Sequence, residues 1–114
     1  MLVIHGTDDG QINYAGNLSF SSSPVTAQFW AANAGCLTVP QDLGVLDPTD
    51  DGASVQLDRY DRCTGTAYVD HYTVRGGGHT WPGSLSFAAG LGRTAQDIVA
   101  TSLMWQFFQN FARP

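Results

Sequence analysis

The order of the predicted elements along this 114-residue chain indicates an α/β fold. A short strand comes first, a helix follows, and two extended segments then lead to a final helix. The apolar fraction is 43%, which is enough to build a packed core. No apolar run reaches the roughly 18 residues that a membrane span requires. A chain of this length is at most one domain, or one piece of a larger one.

The first half of the chain contains one predicted strand and one predicted helix. Leu2 to His5 is a short apolar run that predicts a buried strand ending at Gly6. A helix is expected to open at Ser23-Pro24, with the serine as N-cap and the proline at the first helical position. Gly35 is its expected C-cap. The apolar residues of this helix predict a buried face made of Val25, Phe29, Trp30 and Ala32.

The second half begins with a segment rich in proline, glycine and aspartate, residues 37–53, which predicts a loop. The stretches "SVQLDRYDRC" and "TAYVDHYTV" alternate in polarity and carry β-branched and aromatic residues, so they predict two strands of a hairpin. His5 and His71 lie within predicted strands and are expected to be structural. The last helix is expected from Thr94 to about Phe111, with Thr94 and Asp97 as an approximate capping box.

Charge and composition exclude several classes of function. The net charge is −5, there is no lysine, and the five arginines are scattered along the chain. This pattern argues against binding to nucleic acid or to an anionic membrane surface. A metal site is not expected either, because there is no C-x-x-C pair and there are three histidines in all. Nothing in the sequence calls for a cofactor.

Two acids and a histidine follow predicted strands and are the candidate reactive groups. Asp8 and Asp9 come directly after the first strand, and ligand sites of open α/β sheets form at this carboxyl end. Aspartate in a turn also forms Asx turns, so a structural role is the alternative. His79 follows a later strand across three glycines, residues 76–78, which permit a sharp turn or a close backbone approach. The alternative for His79 is a polar residue in a turn.

An acid followed by a histidine matches the chain order of the α/β-hydrolase triad, in which a serine comes first. In that triad the carboxylate orients the imidazole and stabilises its cation, and the imidazole takes the proton of the nucleophile. The serine should lie in a G-x-S-x-G pattern earlier in the chain. That pattern is absent from this sequence, and Ser54 and Ser84 both lack it. The residues alone therefore do not complete an active site.

Several motifs resemble the C-terminal part of secreted polyhydroxybutyrate depolymerases and of the similar feruloyl and acetylxylan esterases. They are "VIHGTDDGQINY", "FWAANAGC", "YDRC", "VRGGGHTWPG" and "DIVATSLMWQFF", and the resemblance extends over nearly the whole chain. The resemblance implies a partial α/β-hydrolase fold over residues 1–114, with the C-terminal strands and helices of a mostly parallel sheet. It also implies that the nucleophile and the oxyanion loop lie upstream of Met1.

Carried over by position, the resemblance assigns two catalytic residues. Asp9 matches the triad acid and His79 the triad histidine. Asp8 stands where the family has a small residue and Gly10 where it has proline, so the choice between the two aspartates stays open, and we expect Asp9. Trp81 is expected either to form a wall of the substrate pocket or to anchor its loop in the core. The implied substrate is an ester, from a polyester or from the plant cell wall.

The family resemblance also implies secretion, and with it a disulfide between Cys36 and Cys63 in an extracellular protein. Two buried thiols are the alternative for a cytosolic chain. The implied function is that of the C-terminal portion of a serine carboxylic-ester hydrolase, whose N-terminal portion would be its partner. The alternative is a non-catalytic fragment, or a small binding or assembly module. Because half a sheet exposes strand edges, a homodimer is also possible.

Overall fold

The computed structural model describes residues 1–85 and 90–111, which form a four-stranded sheet with two helices. The α/β class predicted from the order of elements is confirmed. The elements, in chain order, are β1 (Leu2–Gly6), α1 (Ser23–Asn33), β2 (Gln41–Leu46), β3 (Ser54–Tyr60), β4 (Val69–Arg75) and α2 (Ala100–Gln109).

The sheet has the strand order β1-β4-β3-β2 and is mixed. β1 runs parallel to β4, with Leu2 opposite Asp70, whereas β4 pairs antiparallel with β3 and β3 antiparallel with β2. The expectation of a mostly parallel sheet is therefore wrong for this part of the chain. The reason is that β3 and β4 are joined by a short connection and form a hairpin, whose strands are antiparallel. This hairpin was predicted from the two alternating segments. β1 reaches β4 through a long connection containing α1, which allows the parallel pairing.

The two faces of the sheet carry two separate clusters of buried side chains. On one face, α1 packs through Ala27 and Ala31 against Tyr60 and Val69. On the other face, Val55, Tyr72 and Val74 pack with Ile98, and Leu103 of α2 lies against this cluster. Helices on both faces of a sheet are typical of α/β domains.

α1 starts where the sequence predicts but is capped by a different residue. The N-cap is Ser22, whose hydroxyl accepts a hydrogen bond from the backbone N–H of Val25 at 3.3 Å. The predicted N-cap, Ser23, is buried instead, and its hydroxyl bonds the ring of His71. The C-cap is Ala34 rather than Gly35.

The predicted buried face of α1 is wrong. Val25 is 50% exposed, Phe29 59% and Trp30 41%, and the helix turns Ser23, Ala27 and Ala31 towards the sheet. These small side chains let the helix backbone approach the strands closely, which large side chains would prevent. The large apolar side chains consequently lie on the outer surface of the described structure.

β2 and the start of α2 also differ from the predictions. β2 lies inside the segment that was expected to be a loop, and its six residues are all exposed. α2 begins at Ala100 rather than Thr94, and its N-cap, Val99, has no side-chain cap. The predicted capping box is absent because the helix begins after both Thr94 and Asp97, and Asp97 instead accepts a hydrogen bond from the backbone N–H of Thr49 at 3.1 Å.

The cysteine prediction is confirmed, since Cys36 and Cys63 form a disulfide. The bond ties the end of α1 to the connection between β3 and β4. Within the described residues, no helix combines the length and apolar character that crossing a membrane requires.

Candidate active site

The candidate site forms where β1 and β4 end side by side. Because the two strands are parallel neighbours, the loops that follow them leave the sheet at the same edge. The loops are bound to each other: the N–H of Thr7 donates to the carbonyl of Val74 and the N–H of Asp8 to that of Gly77, both at 2.9 Å. The N–H of Gly76 donates to the Thr7 hydroxyl at 2.9 Å.

Glycine is required at two positions of these loops by close backbone contacts. A Cβ on Gly6 would overlap the carbonyl of Gly77, and one on Gly78 would overlap the carbonyl of Leu91. The N–H of His79 donates to that same Leu91 carbonyl at 2.7 Å. The glycines before His79 thus let its loop lie between β1 and the segment around residue 91, and this packing directs the imidazole.

The loops bring His79 and Asp9 into direct contact, as the triad hypothesis requires. Nδ1 of His79 lies 2.9 Å from Oδ2 of Asp9. Oδ1 of Asp9 accepts two further hydrogen bonds, from the backbone N–H groups of Gln11 and Ile12, each at 2.8 Å. Both oxygens of the carboxylate are therefore engaged, which restricts its orientation.

Opposing effects act on the pKa of Asp9, and the net effect lowers it. Burial would raise the pKa, but the hydrogen bonds from the N–H of Ile12, from His79 and from the N–H of Gln11 outweigh burial and hold it below its ordinary value. The carboxylate is consequently ionised at neutral pH and can only accept hydrogen bonds. We therefore assign the proton of neutral His79 to Nδ1, which leaves Nε2 unprotonated.

The two side chains differ in their access to solvent. The Asp9 side chain is 6% exposed, whereas that of His79 is 45% exposed. Within residues 1–85 and 90–111, the His79 ring makes a single hydrogen bond, from Nδ1 to Asp9. Its Nε2 has no partner in those ranges. A buried, ionised acid behind an accessible basic nitrogen is the arrangement of a general acid–base pair.

Asp8 is not part of this arrangement. Its side chain is exposed, and Oδ1 accepts a hydrogen bond from the hydroxyl of the preceding Thr7 at 2.9 Å. Of the two aspartates, Asp9 is thus the one in contact with His79. A catalytic role for this pair stays a prediction.

Trp81 lies two residues after His79, on an open groove of about 690 Å³ whose lining includes neither Asp9 nor His79. Its side chain is half exposed, and its indole N–H donates to the hydroxyl of Thr101 at 3.0 Å. The groove is otherwise lined mainly by apolar side chains, including Ile4 of β1 and Phe108 of α2. Trp81 therefore belongs to the wall of a groove rather than to the core, and substrate binding there stays a prediction.

The described residues place no hydroxyl nucleophile against His79. Ser84 directs its hydroxyl to the carbonyl of the next residue, at 3.5 Å. Ser86 belongs to residues 86–89, which lie outside the described part of the chain. Across the described ranges there is also no group of three or more His, Cys, Asp or Glu side chains that could hold a metal ion.

Two features of this region were missed from the sequence. His5, expected to be structural, lies with Nε2 3.4 Å from Oδ2 of Asp9, so the carboxylate has a histidine on two sides. No signal in the sequence would have found it, because a four-residue spacing brings side chains together in a helix, whereas His5 lies on a strand. The second feature is the buried hydrogen bond between Ser23 and His71, 2.9 Å long. Burial lowers the pKa of His71, and its ring is inaccessible to a substrate.

Comparisons of the chain with protein-family models, with curated proteins and with solved structures gave no significant match.

Proposed function

We propose that this chain supplies the acid–base half of a serine carboxylic-ester hydrolase, with His79 as the general base and Asp9 as its orienting carboxylate. One observation supports this most strongly: a buried, ionised carboxylate holds the Nδ1–H of a half-exposed histidine whose Nε2 has no partner among the described residues. The motif resemblance to polyhydroxybutyrate depolymerases and feruloyl esterases supports the same assignment independently of the geometry.

In the proposed reaction, Nε2 of His79 takes the proton of a serine hydroxyl while the serine oxygen attacks the ester carbonyl carbon. Asp9 stabilises the resulting imidazolium. The imidazolium returns the proton to the alkoxide of the leaving alcohol as the ester C–O bond breaks. Water then attacks the acyl-serine with His79 again as base, and the acid and the free serine are released. Trp81 would form one wall of the pocket that receives the acyl or aromatic part of the ester.

The serine and the oxyanion donors would come from a separate N-terminal portion of the hydrolase. The free side of β1 supports this part of the proposal, because among the described residues β1 pairs with β4 on one side alone. Apolar side chains next to that edge are exposed, including Met1 at 42% and Phe108 at 55%. A second copy of the chain is the alternative occupant of this edge. The disulfide suits an oxidising compartment, so we propose that the protein is extracellular.

A non-catalytic role is the second candidate function. It is favoured by the lack of a hydroxyl near Nε2 of His79 within the described ranges. The chain would then be a truncated fragment or a small binding or assembly module that retains the Asp9–His79 pair without turning over an ester.

An ester assay separates the two functions. The chain alone should hydrolyse p-nitrophenyl acetate slowly, because losing even one oxyanion donor costs about 100- to 1000-fold. Asp9→Asn should not change that slow rate. Fusion to a hydrolase N-terminal portion carrying G-x-S-x-G should restore turnover that His79→Ala abolishes. A fusion that folds but gains no His79-dependent turnover would favour the non-catalytic role.

The same assay tests whether the nucleophile lies elsewhere. Fast hydrolysis by the chain alone, blocked by a fluorophosphonate, would contradict the proposed division of the triad. Ser84→Ala and Ser86→Ala would then identify the reacting serine, since both lie a few residues after His79.

A further inference from the structure

We infer that His5 is a positioning residue, which holds the Asp9 carboxylate in the orientation that engages His79. The inference rests on the proposed role of the Asp9–His79 pair but concerns a residue that this role does not include. Nε2 of His5 lies 2.8 Å from the carbonyl oxygen of Ile12 and 3.4 Å from Oδ2 of Asp9. One ring nitrogen thus faces both the turn that follows Asp9 and the carboxylate itself.

The partners of His5 determine where its proton lies. A backbone carbonyl can only accept a hydrogen bond, so the contact with Ile12 requires the proton of neutral His5 to be on Nε2. The same nitrogen lies 3.4 Å from Oδ2 of Asp9, which is an electrostatic contact at ion-pair distance and not a hydrogen bond. His5 and His79 therefore hold their protons on opposite ring nitrogens, Nε2 and Nδ1, and both of these nitrogens lie within 3.4 Å of one carboxylate oxygen.

The contacts close a ring that fixes the turn. Asp9 accepts from the N–H of Ile12 at 2.8 Å, and the carbonyl of Ile12 accepts from His5. His5 belongs to β1, where it lies opposite Thr73 of β4, so the turn is attached to the sheet through the imidazole. Without the His5 N–H, the Ile12 carbonyl loses this bond and Oδ2 of Asp9 keeps the contact to His79 alone.

The ring of His5 is itself held in place. Its side chain is 17% exposed, and it packs edge-on against the ring of Tyr14 with centroids 5.4 Å apart. The Tyr14 hydroxyl is hydrogen-bonded to the hydroxyl of Thr73 at 2.8 Å. An imidazole fixed in this way can orient a carboxylate, because its own N–H direction is fixed by the strand and by the aromatic contact.

Nitrogen NMR of the histidine rings in the full chain tests this directly. At pH about 8, the ¹⁵N shifts report which ring nitrogen carries the proton. In the wild-type chain we expect the Nε2–H form for His5 and the Nδ1–H form for His79. A dominant Nδ1–H form of His5 would overturn the inference without any substitution.

Variants then test whether His5 acts on His79. His5→Phe keeps an aromatic ring against Tyr14 but removes the N–H, and we expect His79 to shift from mainly Nδ1–H towards Nε2–H. His5→Gln places an amide N–H near the Nε2 position and should keep the Nδ1–H form. His5→Asn is polar, but its amide is too short to reach the Nε2 position, so His79 should lose the Nδ1–H form. His71, bonded to Ser23, is the internal control whose tautomer should stay unchanged.

The outcomes separate this inference from the proposed function. If Asp9→Asn changes the His79 tautomer and His5→Phe does not, His5 has no positioning role while the acid–base pair stands. If Asp9→Asn leaves the tautomer unchanged, the pair itself is refuted. Should His5→Phe fail to fold, the comparison of His5→Gln with His5→Asn decides: equal His79 tautomers in these two variants would overturn the inference.

Discussion

Arg59 and Asp70 lie directly opposite each other on β3 and β4 and form a two-point ion pair. Nε of Arg59 is 2.6 Å from Oδ1 of Asp70, and Nη2 is 2.8 Å from Oδ2. The carboxylate is buried, with its side chain 4% exposed, while the guanidinium lies over the ring of Tyr68 at 4.4 Å. This pair neutralises the buried charge on the α2 side of the sheet.

Arg59→Met should destabilise the fold strongly, because it leaves the Asp70 carboxylate buried without its partner. We expect the free energy of unfolding to fall by about 2–4 kcal/mol, somewhat below the cost for a fully buried pair since Arg59 is partly exposed. Urea unfolding measures the change. The matched control is Arg75→Met, which removes a more exposed arginine whose contact is a 3.3 Å bond to Gln56. Equal losses in the two variants would contradict the importance of the pair.

Asp9→Asn should reduce stability in a manner that depends on pH. Because the pKa of Asp9 is lowered in the folded state, its ionised form stabilises the fold. This contribution is complete above the ordinary carboxylate pKa of about 3.9 and is lost as pH falls through the lower folded value. We expect a loss of about 1–3 kcal/mol at pH 7 that shrinks towards pH 3.

Urea unfolding of the wild-type chain and of Asp9→Asn at pH 7, 5 and 3 measures this difference. Asp8→Asn serves as the control, since that carboxylate is exposed and bonds the neighbouring Thr7 hydroxyl. A difference between wild type and Asp9→Asn that is constant from pH 7 to pH 3 would count against the assigned hydrogen bonds.

Reduction of the disulfide should lower stability. The cysteines are 27 residues apart, and closing a loop of this length stabilises a fold by about 3.5 kcal/mol in the chain-entropy model. Dithiothreitol should therefore lower the melting temperature of the wild-type chain. The variant with both Cys36→Ser and Cys63→Ser should melt at the lower temperature and should not respond to dithiothreitol. Two titratable thiols in unfolded, unreduced protein would contradict the pairing.

Gly78→Ala should disturb the candidate site, because its Cβ would overlap the carbonyl of Leu91. The His79 loop would have to move away from that segment, and we expect a loss of about 1–3 kcal/mol in unfolding free energy. The Nδ1–H signal of His79 should weaken as the contact with Asp9 opens. Gly10→Ala is the matched control, since a Cβ there meets nothing within 4 Å. A Gly78→Ala variant as stable as Gly10→Ala would rule out the close packing.

Local sequence patterns were enough to predict several elements. The apolar run that forms β1 and the alternating segments that form β3 and β4 need no distant partner to be recognised. The contact between Asp9 and His79 was also expected, because each residue follows a predicted strand and the order of acid and histidine matches that of a hydrolase triad. The parallel pairing of β1 with β4 is the tertiary feature that makes this contact.

Tertiary structure decided which faces and termini the elements use. Alanine contributes little to an apolar pattern. The sequence therefore predicted that the face of α1 with Phe29 and Trp30 is buried, whereas the buried face carries Ala27 and Ala31. Asp97, which the sequence predicted as part of the cap of the last helix, instead bonds the backbone of Thr49, 48 residues away. Bonds across such separations leave no periodic signal along the chain.

The sequence by itself determined the α/β class, the paired cysteines and the two residues of the candidate acid–base pair. The mixed sheet, the ion pair between Arg59 and Asp70 and the second histidine on Asp9 were decided by the tertiary structure. His5 and Asp9 are four residues apart in the sequence, but they meet only because the chain turns after β1 against the loop that follows β4. Propensity and spacing are local, whereas a hydrogen bond to a carboxylate depends on the direction of each side chain in the completed fold.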